Sequence, residues 1–157
     1  QVASTCSGMW KIQRGEQVSC LVIKEANSII SGYYFTDPFV EGFSAAITGY
    51  TKGASIEIQF TALFEHSGVY DNEYRQVIME MQHNIRASQE ADIIRGQDIV
   101  ISTDYVNMGG STAKNGPETT TLLFAAQRIN QFPSSLLSNS DVMEILKQHD
   151  LFDVINH

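Results

Sequence analysis

From Gly8 to Arg128 the chain reads largely as a series of short strands, with no regular alternation of strand and helix that would demand a parallel sheet. Strands joined directly by turns must lie antiparallel. Gln17 to Glu25 carries Val18, Cys20 and Val22 on one face and Leu21 and Ile23 on the other, so this strand is apolar on both sides. A tight turn at Ala26-Asn27 leads into Ser28 to Thr36, where Gly32 offers a bend, and Asp37-Pro38 stops it. Phe43, Ala45 and Ile47 then alternate with Ser44, Ala46 and Thr48. Ile56, Ile58 and Phe60 alternate with Ser55, Glu57, Gln59 and Thr61, which is a strand dry on one face and wet on the other.

Residues 64–96 fit two periods. Val77, Met79, Met81 and Ile85 recur at strand spacing, whereas Tyr74, Val77, Ile78, Met81 and Ile85 recur at helix spacing. A strand through Val77 to His83 followed by a polar loop or short helical turn over Arg86 to Glu90 is the expectation. Gln97 to Tyr105 is read as a strand, Gly109 to Pro117 as a loop of small residues, and Glu118 to Arg128 as a further strand. After Pro133 the pattern changes to a helix over Ser140 to His149, with Ser140 as cap, acids in its first turn and Lys147 and His149 in its last. Leu151 to Ile155 has strand character. About eight antiparallel strands in series close readily into an up-and-down barrel, and closure removes the exposed edges. The expected fold is therefore all-β, an eight-stranded antiparallel barrel over about residues 8–128, with one helix at about 140–149 packed outside it.

With 157 residues, 43% hydrophobic and 18% charged, the chain supports a single domain over 1–157. A net charge of −8 with only 10 scattered Lys and Arg argues against nucleic acid, and no run reaches the ~18 apolar residues of a membrane-spanning helix. A numbering that begins at Gln1 without Met points to a removed signal peptide and to secretion. In that setting Cys6 and Cys20 are read as one disulfide around the first hairpin. The lone tryptophan, Trp10, opens the first strand. It is placed to plug the floor of a closing sheet, and Gly8 two residues earlier lets a backbone or a cation approach its ring.

Gly8-Met9-Trp10, then Thr103-Asp104-Tyr105 at the end of a late strand, then Arg128 before a C-terminal helix, resemble in order and approximate spacing the three signature regions of the lipocalin family. The resemblance implies that Arg128 stacks on Trp10 and that Thr103, Asp104 and Tyr105 belong to the same closed end. It also implies a secreted protein that carries a small hydrophobic ligand in its cup. The cysteines do not match the usual lipocalin bridge, and an avidin-like barrel, which shares the Gly-x-Trp start, is the second choice. Avidin-type pockets wall biotin with several tryptophans, and this chain has one. The inward residues expected to contact a ligand are Phe43, Ile47, Ile56, Ile58, Phe60, Val77, Met79, Met81, Leu122 and Phe124, with Tyr34 at the rim.

Catalysis has little to work with. His66, His83, His149 and His157 show no metal-ligand spacing, and neither a nucleophile triad nor a phosphate loop is visible, so no metal or cofactor is expected. The one enzymatic candidate is Cys20 as a thiol pointing into the cup for isomerase chemistry. The other alternative is a secreted barrel with a filled cup that acts through its surface, as an inhibitor or as a subunit of a homo-oligomer. Residues 64–96 are the place to look for it.

Overall fold

The computed structural model describes the backbone of residues 6–66, 69–86, 89–108 and 111–156. The strands are β1 (Gly8–Arg14), β2 (Gln17–Ala26), β3 (Ile29–Asp37), β4 (Ala45–Lys52), β5 (Ser55–His66), β6 (Val69–Arg86), β7 (Gln89–Met108) and β8 (Ser111–Ile129). Each pairs antiparallel with the next, and β8 returns to β1, which closes the barrel. Three short helices follow, α1 (Ser134–Leu137), α2 (Ser140–Gln148) and α3 (Phe152–Ile155).

The turns are chemically apt. Asn27 and Ser28 both take positive φ (54° and 67°) between the paired Ala26 and Ile29, the geometry of a two-residue hairpin that follows the sheet twist. Gly32 has no space for a side chain, because a Cβ there would stand 1.9 Å from the Val22 carbonyl oxygen of the neighbouring strand.

Two apolar layers meet at β2. Leu21 and Ile23 point inward and join Trp10, Ile12, Ile30, Ile47, Ile56, Ile58, Val77, Met79, Ile94, Phe124 and Ala126 in the barrel core. Cys20 and Val22 point outward, join Met9 and Phe35, and are covered by Phe132, Leu136, Val142, Leu146, Leu151 and Val154 from the C-terminal segment. This explains a strand that is apolar on both faces: it is the wall shared by the two layers. On the far side of the barrel, the described outward residues Tyr50, Ile78 and Leu123 are exposed.

Several expectations are corrected. The strand expected from Val77 to His83 is found but is longer: the described residues of 64–96 are all strand, with β6 running 18 residues to Arg86 and β7 starting at Gln89, so Arg86 to Glu90 forms no helical turn among its described residues. The loop expected from Gly109 to Pro117 is strand from Ser111 onward, held by β7 through pairs such as Val106 with Ala113. Leu151 to Ile155 is not a strand but leads into α3, because its apolar residues pack on the outer layer. The cap of α2 is Asn139 rather than Ser140; its side-chain oxygen accepts from the Asp141 and Val142 amides at 2.9 and 3.2 Å.

The disulfide is also absent: Cys6 and Cys20 are free thiols, both buried. Cys6 belongs to the inner core and Cys20 to the outer layer, so the wall of the barrel separates them. The same parity overturns Cys20 as a thiol facing the cup.

Candidate functional site

The barrel has a floor and a mouth. Trp10 pairs with Leu21 and Arg128 near the floor, and Arg14 pairs with Gln17 at the mouth. At the floor Trp10 is fully buried, and its indole N–H donates to the Cys6 carbonyl at 2.9 Å. The Arg128 guanidinium lies over the ring, 4.3 Å from its centroid, and donates to Asp92 at 2.7 Å and to the Ser7 carbonyl at 2.6 Å. Gly8, with φ of +140°, makes room for it: a Cβ there would stand 2.5 Å from the Arg128 Nη1. Glu25 completes the floor, accepting from the Cys6 amide, the Cys6 thiol and the Thr51 hydroxyl. Burial first, and then the Glu25 carboxylate, push the Cys6 thiol up to about 12. Burial and, secondarily, Asp37 push Cys20 up to about 12 as well. Neither thiol is poised as a nucleophile.

Thr103, Asp104 and Tyr105 do not belong to this end. Strand β7 runs from floor to mouth; Ile94 pairs with Ala126 near the floor, whereas Asp104, ten residues further along, pairs with Asn115. That is roughly 30 Å of strand. The expectation fails because β7 begins at Gln89 rather than Gln97, which carries the three residues out towards the mouth. The side chains of Asp104 and Tyr105 lie outside the described residues.

Above the floor the described inward side chains pack together. Ile12, Leu21, Ile58, Val77, Met79 and Phe124, with Arg14, Tyr34 and Asp98, enclose a void of only about 10 Å³. Such a void holds one water molecule at most. Ile47 and Ile56 pack in the core beside it. Closing the packed region from above is a polar layer. Arg14 donates from Nη2 to Asp98 at 2.9 Å and sits 5.7 Å from the centre of the Phe124 ring. Asp98 is 2% exposed, so this carboxylate depends on its hydrogen-bonded partner. Ser19 and Tyr34 share a hydroxyl hydrogen bond of 2.6 Å.

Among the described residues, space for a small molecule lies above that layer. A cavity of about 460 Å³ opens at the mouth, walled by Arg14, Glu16, Gln17, Val18, Ser19, Tyr34, Thr36 and Asp37, with Pro38, Val40 and Phe43 arching over from the connection between β3 and β4. Ser44 braces this connection, its hydroxyl accepting from the Thr36 amide at 3.1 Å, and the Thr36 hydroxyl accepts from the Val40 amide at 2.8 Å. Of the eleven expected ligand contacts, Tyr34 and Phe43 line this cavity, while Ile58, Val77, Met79 and Phe124 line the small void. Phe43 is not an inward strand residue: it lies in the 3-10 turn Glu41–Phe43 and is 45% exposed. Leu122 shares the inward parity of Phe124 but is 40% exposed. The side chains of Phe60 and Met81 lie outside the described residues.

Sequence reasoning did not single out Arg14, Ser19, Thr36 or Asp98. Their parity becomes a signal only once the inward face of each strand is known. Asp98 falls on the inward parity of Ile94, and Arg14 on that of Trp10 and Ile12, so two opposite charges occupy positions where apolar residues are expected.

No family model matches the chain, and no curated protein does. Among solved structures, the chain is similar to a rhizavidin–biotin complex (15% identity, TM-score 0.46, covering 83% of this chain and 97% of that one). It is also similar to a short afifavidin–biotin complex (15% identity, TM-score 0.42, covering 80% and 90%) and to the intact afifavidin apo form (14% identity, TM-score 0.39, covering 83% and 85%).

Proposed function

We propose that this protein is a non-enzymatic binder of a small molecule, held at the mouth of the barrel rather than deep inside it. The observation that carries this reading is that, among the described residues, a packed layer around Ile58, Met79 and Phe124 lies below a cavity of about 460 Å³. That volume falls in the ~300–1,000 Å³ range of small-molecule sites. Val18, Pro38, Val40 and Phe43 offer apolar contact on one side, and Ser19, Tyr34, Thr36 and Arg14 offer hydroxyls and a cation on the other. This mixture favours a compact amphipathic ligand over a long apolar chain, which would need the space that Ile58, Met79 and Phe124 already fill. The isomerase alternative loses its nucleophile, since Cys20 lies outside the barrel wall.

A titration with the amphipathic fluorophore 8-anilinonaphthalene-1-sulfonate tests the site. One-to-one binding is expected, weakened at least tenfold in Val40→Glu and in Phe43→Ala, with the far-UV spectrum unchanged because both residues are exposed. Binding that is absent, or indifferent to both substitutions, overturns the reading.

A further inference from the structure

Arg14 and Tyr34 line both the mouth cavity and the small void beneath it, and so form the partition between them. The two halves of the ion pair in this partition face different spaces. Asp98 lines the void and not the cavity, and its side chain is 2% exposed; Arg14 lines both and keeps 29% of its side chain exposed. The pair is therefore oriented, with its carboxylate below and its positive end towards the mouth. A buried carboxylate needs such a partner, but a guanidinium carries five N–H donors, more than one carboxylate uses. Arg14 gives Nη2 to Asp98 at 2.9 Å, and its Nε is buried with no hydrogen-bond partner among the described residues. The Phe124 ring, its centre 5.7 Å away, holds the guanidinium from another side.

From this arrangement we infer that Arg14 is the specificity-determining residue of the mouth cavity, and that its ligand is an amphipathic oxyanion, a small apolar body carrying a carboxylate or a sulfonate. The inference rests on the binding site proposed above and adds the chemistry of its occupant. Among the described residues, Arg14 is the only cation on the cavity wall. A guanidinium fixed between a carboxylate and an aromatic ring has little freedom to lose when an acceptor arrives, and its charge is screened less in a partly buried site than on open surface. The two acids on the wall are placed to interfere little. Glu16 is exposed in the turn between β1 and β2, where water and salt screen it, and Asp37 accepts from the Ser135 hydroxyl of α1. Val18, Pro38, Val40 and Phe43 then receive the apolar body. An uncharged ligand of the same shape would set apolar atoms against the guanidinium, at the cost of its hydration.

Two probes that share one aromatic skeleton separate the charge from the body: 8-anilinonaphthalene-1-sulfonate, and N-phenyl-1-naphthylamine, which lacks the sulfonate. Fluorescence titration gives the ratio of their dissociation constants in each protein. Arg14→Gln/Asp98→Asn removes both charges and leaves two amides that can hydrogen-bond to each other; there the ratio should shift about tenfold towards the neutral probe. Asp98→Asn alone leaves the cation without its counter-charge, and the ratio should shift about threefold the other way. Because Asp98→Asn is isosteric, it carries the test by itself should the double variant not fold. An Asp98→Asn ratio that stays unchanged or moves towards the neutral probe overturns the inference, as does a folded double variant with the wild-type ratio. If in either case both probes still weaken in Phe43→Ala, the site itself stands and only the role of Arg14 is lost. If neither probe binds the wild type, or Phe43→Ala affects neither, the site reading fails and this inference with it.

Discussion

Arg128 stands where three kinds of interaction converge. It stacks on Trp10, pairs with Asp92 and donates to the Ser7 carbonyl, all while only partly exposed. Arg128→Ala removes a cation–π contact of ~0.5–2 kcal/mol together with the packing of its stem, so a loss of about 1–3 kcal/mol in unfolding free energy is expected. A shift in Trp10 emission should accompany it. An unchanged denaturation midpoint and an unchanged spectrum would show that Arg128 only decorates the floor. The thiols give a prediction of opposite character. Cys6 and Cys20 ionise at about 12 when folded, against an ordinary 9.0. Below pH 9 both states keep their protons and the thiols contribute nothing to the pH dependence. Between pH 9 and 12 the unfolded chain releases protons that the folded one retains, so stability falls as pH rises, by up to ~1.4 kcal/mol per pH unit for each thiol. Thermal midpoints of wild type and of Cys6→Ser measured from pH 8 to 10.5 should diverge in slope above pH 9. At this scale the sequence exposed Trp10 and Arg128 but concealed Arg14 and Asp98. An isolated charge in an alternating strand looks the same whether it faces water or a partner across the barrel.

At the scale of elements, what could be read depended on length and parity. The two-faced apolar pattern of β2 was legible and has a structural cause, since the strand is wall to both layers. Which of its faces points inward was not legible, because alternation fixes only that neighbours differ. Cys20 was therefore placed on the wrong side. Strands β6 and β7 were legible only in part, as Val77 to His83 and Gln97 to Tyr105: at 18 and 20 residues they exceed the usual ~5–6, and their length puts the expected closed-end residues 103–105 towards the mouth. The helix α2 was visible from its amphipathic stripe, though its cap was displaced by one residue. Asn139→Ala should lower stability by ~1 kcal/mol, because it orphans the first-turn amides that Asn139 now satisfies. Asn139→Asp, which keeps the acceptor, should restore most of that loss. Chemical denaturation of both variants checks the pair, and equal destabilisation by the two would rule out capping as the cause.

For the whole molecule, the decisive asymmetry among the described residues is that the C-terminal segment covers the wall around β2 and β3, while Tyr50, Ile78 and Leu123 elsewhere on the barrel are exposed. Removing residues 130–157 takes away Phe132, Leu136, Val142, Leu146, Leu151 and Val154 together, and so bares Met9, Cys20, Val22 and Phe35. The inner core, including Cys6 beneath Trp10, is built without that segment. The two thiols, both unreactive in the intact protein, should therefore separate on truncation. Cys20 should become accessible to a thiol reagent such as 5,5′-dithiobis(2-nitrobenzoate) under native conditions, while Cys6 stays protected until the barrel unfolds. Equal reactivity of both cysteines would mean that the barrel cannot stand without its outer layer, making the C-terminal segment part of one cooperative unit rather than a cladding. Equal protection of both would mean that Cys20 is shielded by the strands themselves. The selective outcome would establish a barrel that folds as a closed sheet first and acquires its covered wall as a separable layer.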